Sequence, residues 1–314
     1  MKTCRLGDLF QVTSGGTPDK SEQRFWKGDI PWISAKEMIG ERVIDSSLHI
    51  TDEGLRNGSR IAPTGSLLLL TRGSGLFKRI PLCIVDRPVA YNQDVKCIRS
   101  KHPSISNTFL FYLLKAHERQ IAYIVETTGI GAGKLSTDRL LSLTVELPDE
   151  QCRDKIVQIA CAFSNKIALN NRINDYLAAL GETLVSNCKA DIALSNVCTL
   201  VSDKSDVSSV VLERYVSTES LLPDRGGRQQ ASSVPESGKV AFFRTGDVLV
   251  SNIRPYFKKI WRASFEGGCS TDVLVFRAKD ASYSSCLYFS LRRIQFFDFV
   301  MKRARRCHAA TKNR

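Results

Sequence analysis

The sequence predicts an α+β chain built from two homologous α/β domains that are separated by a long coiled-coil helix. Three observations carry this expectation. Short apolar runs opened by Thr-Gly turns alternate with segments of helical period. Those segments recur in the same order roughly 180 residues later. Between the two copies lies a proline-free stretch with one apolar stripe.

Taken in order, the first repeated piece is Pro63-Thr64-Gly65-Ser66-Leu67-Leu68-Leu69, matched by Arg244-Thr245-Gly246-Asp247-Val248-Leu249-Val250. Each is a turn opening into an apolar strand, and Arg72 and Arg254 follow the two strands. The second is Asn92-Gln93-Asp94-Val95, matched by Ser270-Thr271-Asp272-Val273, each starting a strand that ends at a basic residue, Arg99 or Arg277. The third is a helix, Thr108 to Leu114 against Ser285 to Leu291, with apolar residues recurring at three and four. One such match would mean little, but three in constant order favour duplication over chance. The expected domains are 1–148 and 189–314.

The segment 149–188 reads as the helix between them. Ile156, Ile159, Phe163, Ile167, Asn170, Ile173, Leu177, Leu180 and Leu184 recur every three or four residues, and Asp149 and Glu150 suit the positive end of a helix dipole. At ~1.5 Å per residue the stripe extends about 40 Å, and such a stripe requires a partner helix. Asn170 either fixes the register of that pairing or faces solvent.

Composition narrows the function. The 314 residues are 43% apolar and 25% charged, a globular balance. A formal charge of +13 makes a polyanion the natural partner. The ten cysteines form no C-x-x-C pair and the four histidines are scattered, so no metal or other cofactor is expected. No stretch approaches the ~18 apolar residues that span a bilayer, and free thiols fit a reducing cytoplasm.

Three stretches superficially resemble catalytic motifs. Gly129-Ile130-Gly131-Ala132-Gly133-Lys134 fails as a nucleotide loop, because Thr128 replaces the first glycine and Leu135 follows the lysine. Asn252-Ile253-Arg254-Pro255-Tyr256 does not match the base-holding motif of adenine methyltransferases, and Pro148-Asp149 with Lys155 reads as a helix start rather than a nuclease centre. No catalytic residue is expected. The cations beside polar turns instead form the candidate DNA-binding set: Arg72, Ser74, Lys78, Arg79 and Lys134 in the first domain, Arg254, Lys258, Lys259 and Arg262 in the second.

Two repeats around a striped helix resemble the specificity subunits of type I restriction-modification systems. The wording is similar in Leu6-Gly7-Asp8-Leu9-Phe10, Ser14-Gly15-Gly16-Thr17-Pro18 and Gly28-Asp29-Ile30-Pro31-Trp32-Ile33, where Pro31 and Trp32 are expected to be structural. It continues through Lys134-Leu135-Ser136, the strand Leu143 to Pro148, and Lys155-Ile156-Val157 to Asn174. The resemblance extends from about Leu6 to about Lys302, with fewer specific motifs in the second domain.

That resemblance implies a non-catalytic reader of double-stranded DNA. Each target recognition domain would take one half of a split site, and the helix would dock methyltransferase subunits, with restriction subunits joining the complex. Half-sites on one DNA face lie ~34 Å apart, of the order of the stripe's length. Members of the family close the second domain and add a second spacer helix. Arg303 to Arg314 shows no apolar period and no such closing strand, so the end reads as truncated or frame-shifted, or else as a basic phosphate-binding arm. An unpaired helix raises the expectation of a homodimer. The competing readings are a silent cassette and a helix-mediated adaptor without DNA sequence preference.

Overall fold

The computed structural model describes residues 2–129, 131–188 and 192–312; within these, the side chains of 205, 209 and 304–312 are left aside. The chain divides into two compact units, Met1–Ile167 and Ala168–Arg314. Each unit mixes sheet and helix, and one long helix, Glu150–Asn187, runs from the first into the second. The α+β class and the long helix are as the sequence predicts.

The core of the first unit is a five-stranded sheet in the order Phe10–Ser14, Val95–Ser100, Leu67–Leu70, Leu82–Val85, Arg42–Val43. Its neighbours are antiparallel except the last pair. Leu67 to Leu70 are all buried, as a continuous apolar run predicts for a strand covered on both faces. The helix Asn107–Ala116 packs on this sheet through Phe109, Leu110, Leu113 and Leu114, and the Ser106 hydroxyl accepts the Phe109 N–H at 3.1 Å to start it. A second sheet runs His49–Ile50, Trp26–Ile33, Val89–Tyr91, Ile61–Ala62. Trp32, 5% exposed, donates its indole N–H to the Gly16 carbonyl at 3.0 Å, the structural role its sequence context suggested. Thr144–Leu147 pairs antiparallel with Lys2–Arg5 and closes the unit.

The second unit repeats part of this plan, down to several individual hydrogen bonds. Its main sheet, Cys198–Leu200, Val273–Ala278, Val248–Ser251, Ile260–Arg262, keeps the order of the first four strands above. Gly65 (φ +77°) and Gly246 (φ +90°) take the same left-handed turn that a side chain would strain. Their N–H groups reach Val85 O at 2.7 Å and Ala263 O at 2.8 Å. Thr71 N to Asp94 O recurs as Asn252 N to Asp272 O, and Asn92 N to Ile33 O as Ser270 N to Val216 O. Each helix is also tied to its turn, the Asn107 amide donating to Gly65 O and the Ser284 hydroxyl to Gly246 O, both at 2.8 Å. The Thr-Gly strand, the Asp-Val strand and the helix are the three pieces that the sequence aligned.

The copies also differ. Among the described residues, the second unit has no counterpart to Arg42–Val43 or to the closing pair of strands. Its last helix, Ile294–Lys312, carries through Arg303 and beyond, where the sequence shows no apolar period. Ala, Arg and Lys are strong helix formers, so propensity extends the element where periodicity gives no signal. Asn313 and Arg314, like Ile130 and the boundary residues 189–191, lie outside the described residues.

The long helix is 38 residues, about 57 Å at 1.5 Å per residue. The Asp149 carboxylate accepts the Cys152 N–H at 2.8 Å and caps its start. Its first turns pack on the first unit through Ile156 and Val157, while Arg153 donates to the carbonyls of Pro148 and Ser104. Further along, Tyr112 and Ser164 share a hydrogen bond at 3.1 Å. Its last turns hold the second unit, where Glu182 pairs with Arg225 and Arg292. The helix carries one glycine, Gly181, because a Cβ there would meet the Phe289 ring at 2.4 Å.

Candidate nucleic-acid interface

Arg72 and Lys134 are 62 positions apart in sequence yet directly opposite in a three-stranded ribbon, Val125–Thr127, Gly133–Leu135, Arg72–Gly73. Both side chains are exposed. The ribbon opens on a cleft of about 420 Å³ lined by Arg72, Gln93, Asp94, Lys96, Lys134 and Asp138, among others. The two cations face each other across the ribbon, with Glu126 opposite Lys134 on the neighbouring strand and Asp94 and Asp138 on the cleft wall, so the cleft presents charges of both signs.

Lys96 is a third cation of this cleft that the sequence reading passed over as part of a core strand. Its ammonium donates to Ser14 Oγ at 2.7 Å and to the Gln93 carbonyl at 3.2 Å. Burial holds its amine below the ordinary lysine range, with Arg72 acting in the same direction against Asp94. The signal is the alternation Val95-Lys96-Cys97, in which two apolar residues flank a lysine; both are buried, and Lys96 falls on the other face.

The remaining candidates sit on the 3-10 turn Ser74–Phe77 and around it. Ser74 and Lys78 are exposed at its two ends. Arg79 turns back on its own unit, donating to Met38 O at 2.6 Å and Ile39 O at 2.8 Å, so its guanidinium is engaged internally. In the second unit the matching turn is Pro255–Phe257, flanked by Arg254 and Lys258, both in the left-handed region. The caps align Arg254 with Gly73 rather than with Arg72, so the sequence alignment of the two arginines shifts by one residue. Lys258 aligns with Lys78, each closing its turn on the carbonyl of Gly75 or Pro255. Lys259 donates to Thr218 O at 2.6 Å, and Arg262 is exposed on the edge strand Ile260–Arg262.

The tempting chemical motifs fall in the wrong settings. Lys134 lies in a strand, not at the start of a helix, and Gly131 belongs to the ribbon's tip, where its N–H reaches Thr128 O at 2.8 Å. Asp149 is engaged as a helix cap. Among the described residues no group of three His, Cys, Asp or Glu side chains is placed to hold a metal, and no helix is long and apolar enough to cross a membrane.

The stripe of the long helix forms the second candidate surface. Ile156 is half-buried in the first unit's core. From Ile159 onward the stripe lies open: Phe163 is 67% exposed and Leu184 61%, and Ile167, Asn170, Ile173, Leu177 and Leu180 are exposed with them.

The type I restriction modification DNA specificity domain profile matches residues 1–179. The chain is 30% identical over 175 residues to the Escherichia coli type I restriction enzyme EcoR124I/EcoR124II specificity subunit, covering 55% of this chain and 42% of that protein. It is 26% identical over 188 residues to the MjaIX specificity subunit of Methanocaldococcus jannaschii, covering 58% and 42%. These matches span less than half the length of either relative. The fold is similar to that of a type I restriction-modification S subunit from M. genitalium, with a TM-score of 0.52, 13% identity, and coverage of 97% of this chain and 79% of that one. The chain belongs to the type I restriction-modification DNA specificity domain family.

Proposed function

We propose that the chain is a non-catalytic specificity subunit that reads a split site in double-stranded DNA and docks methyltransferase subunits through its long helix. In this reading residues 1–148 and 189–314 are the two target recognition domains and 149–188 is the spacer. The observation that carries it is the exposed Arg72–Lys134 pair on a ribbon beside a cationic turn, with a second cationic turn at the repeat position in the other unit. Arg72 and Lys134 hold phosphate, Ser74 and Lys78 border the base-reading surface, and Arg254, Lys258 and Arg262 serve the second half-site. Arg79 and Lys259 act by fixing the neighbouring loops, given their internal hydrogen bonds. A cytoplasmic complex, joined by restriction subunits, completes the proposal.

A salt-series gel shift of the complex tests it. Strong, sequence-selective binding that weakens steeply with salt is expected. Binding without sequence preference would favour a helix-mediated adaptor, and no binding a silent cassette.

The open stripe from Ile159 to Leu184 supports a second proposal, in which two chains pair their long helices antiparallel when no other helix covers them. The site read would then be palindromic. Light-scattering mass should give a dimer at micromolar concentration, and a monomer at all concentrations, with and without methyltransferase, would refute the pairing.

A further inference from the structure

Each 3-10 turn ends on a phenylalanine followed by a lysine: Phe77-Lys78 in the first unit and Phe257-Lys258 in the second. The turns themselves diverge. Ser74-Gly75-Leu76 precedes Phe77, whereas Pro255-Tyr256 precedes Phe257, and the caps are Gly73 and Arg254. What recurs through that divergence is a partly exposed aromatic ring, 53% exposed at Phe77 and 38% at Phe257, the latter packed beside Tyr256 with centroids 4.6 Å apart and with Lys259 Nζ 5.8 Å from its centroid.

A lone exposed aromatic needs no explanation. Here the local packing accounts for Leu76 and Tyr256 but not for the exposure of Phe77. Leu76, 2% exposed, anchors the first turn against Gly133 of the ribbon, so the turn has its apolar contact without Phe77. Tyr256 occupies the equivalent place in a unit that has no such ribbon among its described residues, and its exposure follows from that. Phe77 has no such reason, because its unit's ribbon is in place. The surroundings are open: a Cβ added at Gly75 or at Gly131 on the ribbon's tip would meet nothing within 4 Å. The turn thus projects, with the Arg72–Lys134 pair on the adjoining ribbon.

We propose that Phe77 and Phe257 are base-stacking wedges, each entering the DNA stack at one base-pair step of its half-site while Lys78 or Lys258 holds the adjoining phosphate. This rests on the DNA-reading function proposed above. Insertion partly unstacks the step, and the cost is least at flexible pyrimidine–purine steps. The rings would therefore select a step by its deformability without a hydrogen bond to any base.

The test uses the complex of the full chain with its methyltransferase, without methyl donor, on duplexes containing the mapped site. 2-Aminopurine is substituted at every position in turn except the methylated adenine. One position per half-site should brighten on binding. Phe77→Ala should abolish the first signal and Phe257→Ala the second, each weakening binding about tenfold, as loss of one stacked ring implies, while Phe77→Trp retains the signal. Binding by the wild-type complex with no bright position, or brightness that survives both alanine variants, would overturn the wedge. Absence of binding by the wild-type complex would instead sink the DNA-reading function, and the wedge with it. Both rings are at least a third exposed, and unchanged circular dichroism and thermal midpoint would verify that each variant folds.

Discussion

Replacing Asp247 should unlock the second unit while leaving the first intact. Its side chain is 4% exposed and lies in the turn that opens the strand Val248–Ser251. One carboxylate oxygen accepts Arg277 Nε at 3.0 Å, and the other accepts Arg277 Nη2 at 2.7 Å and the Arg244 N–H at 2.8 Å. Asp247→Ala leaves that guanidinium with only the exposed Asp203 at 3.7 Å. Breaking a buried pair from one side costs about 3–5 kcal/mol. Arg277 keeps a 22% exposed outlet to water, which argues for the lower end. With a urea slope of about 2 kcal/mol per molar, a loss of ~3 kcal/mol lowers the second unit's midpoint by about 1.5 M. Asp247→Asn, which preserves an acceptor for Arg244, should lose about 2 kcal/mol. Pulsed hydrogen exchange along a urea series, comparing peptides from 240–280 with those from 60–100, separates the two units. A midpoint within about 0.3 M of wild type for Asp247→Ala, or an equal fall in both units, would refute the reasoning.

Arg72→Ala and Lys134→Ala should each lower the slope of log affinity against log salt by about 0.9 if both hold phosphate, measured by gel shift from low to physiological salt. Unchanged slopes would remove the ribbon from the interface. Leu177→Asp, on the 57% exposed part of the stripe, should leave the chain's unfolding midpoint unchanged but abolish co-purification with a helix partner. Burial pushes the Cys83 thiol up to about 11 and the Cys269 thiol up to about 12. At pH 8 a maleimide should label exposed Cys188 and Cys286 and spare both of these, as read by mass spectrometry. Because the folded values are raised, this contribution to stability is intact below the free-thiol value of about 8.5 and is lost as pH climbs through the folded values.

What was legible in the sequence was local. Thr64-Gly65 and Thr245-Gly246 announce their turns because few residues tolerate a positive φ, and the strands that follow are apolar throughout. The stripe from Ile159 to Leu184 is legible because helical period is a short-range property. The Arg72–Lys134 pair was not, since which ribbon strands meet depends on a register fixed by tertiary packing. Arg79 and Lys259 look like any surface cation in sequence, and only the fold brings the carbonyls of Met38 and Thr218 to them. The one-residue shift between Arg72 and Arg254 follows from the strand register, which sets Thr71 at the position of Asn252 and so Gly73 at that of Arg254, each capping its turn.

The central claim is most directly tested by co-expressing the chain with its neighbouring methyltransferase subunit in a host lacking adenine methylation, then mapping modified adenines by long-read sequencing. A split motif, with a gap between two short half-sites, is the predicted result, and its symmetry would reveal whether two chains pair. An unmethylated genome, with the two proteins still co-purifying, would contradict it.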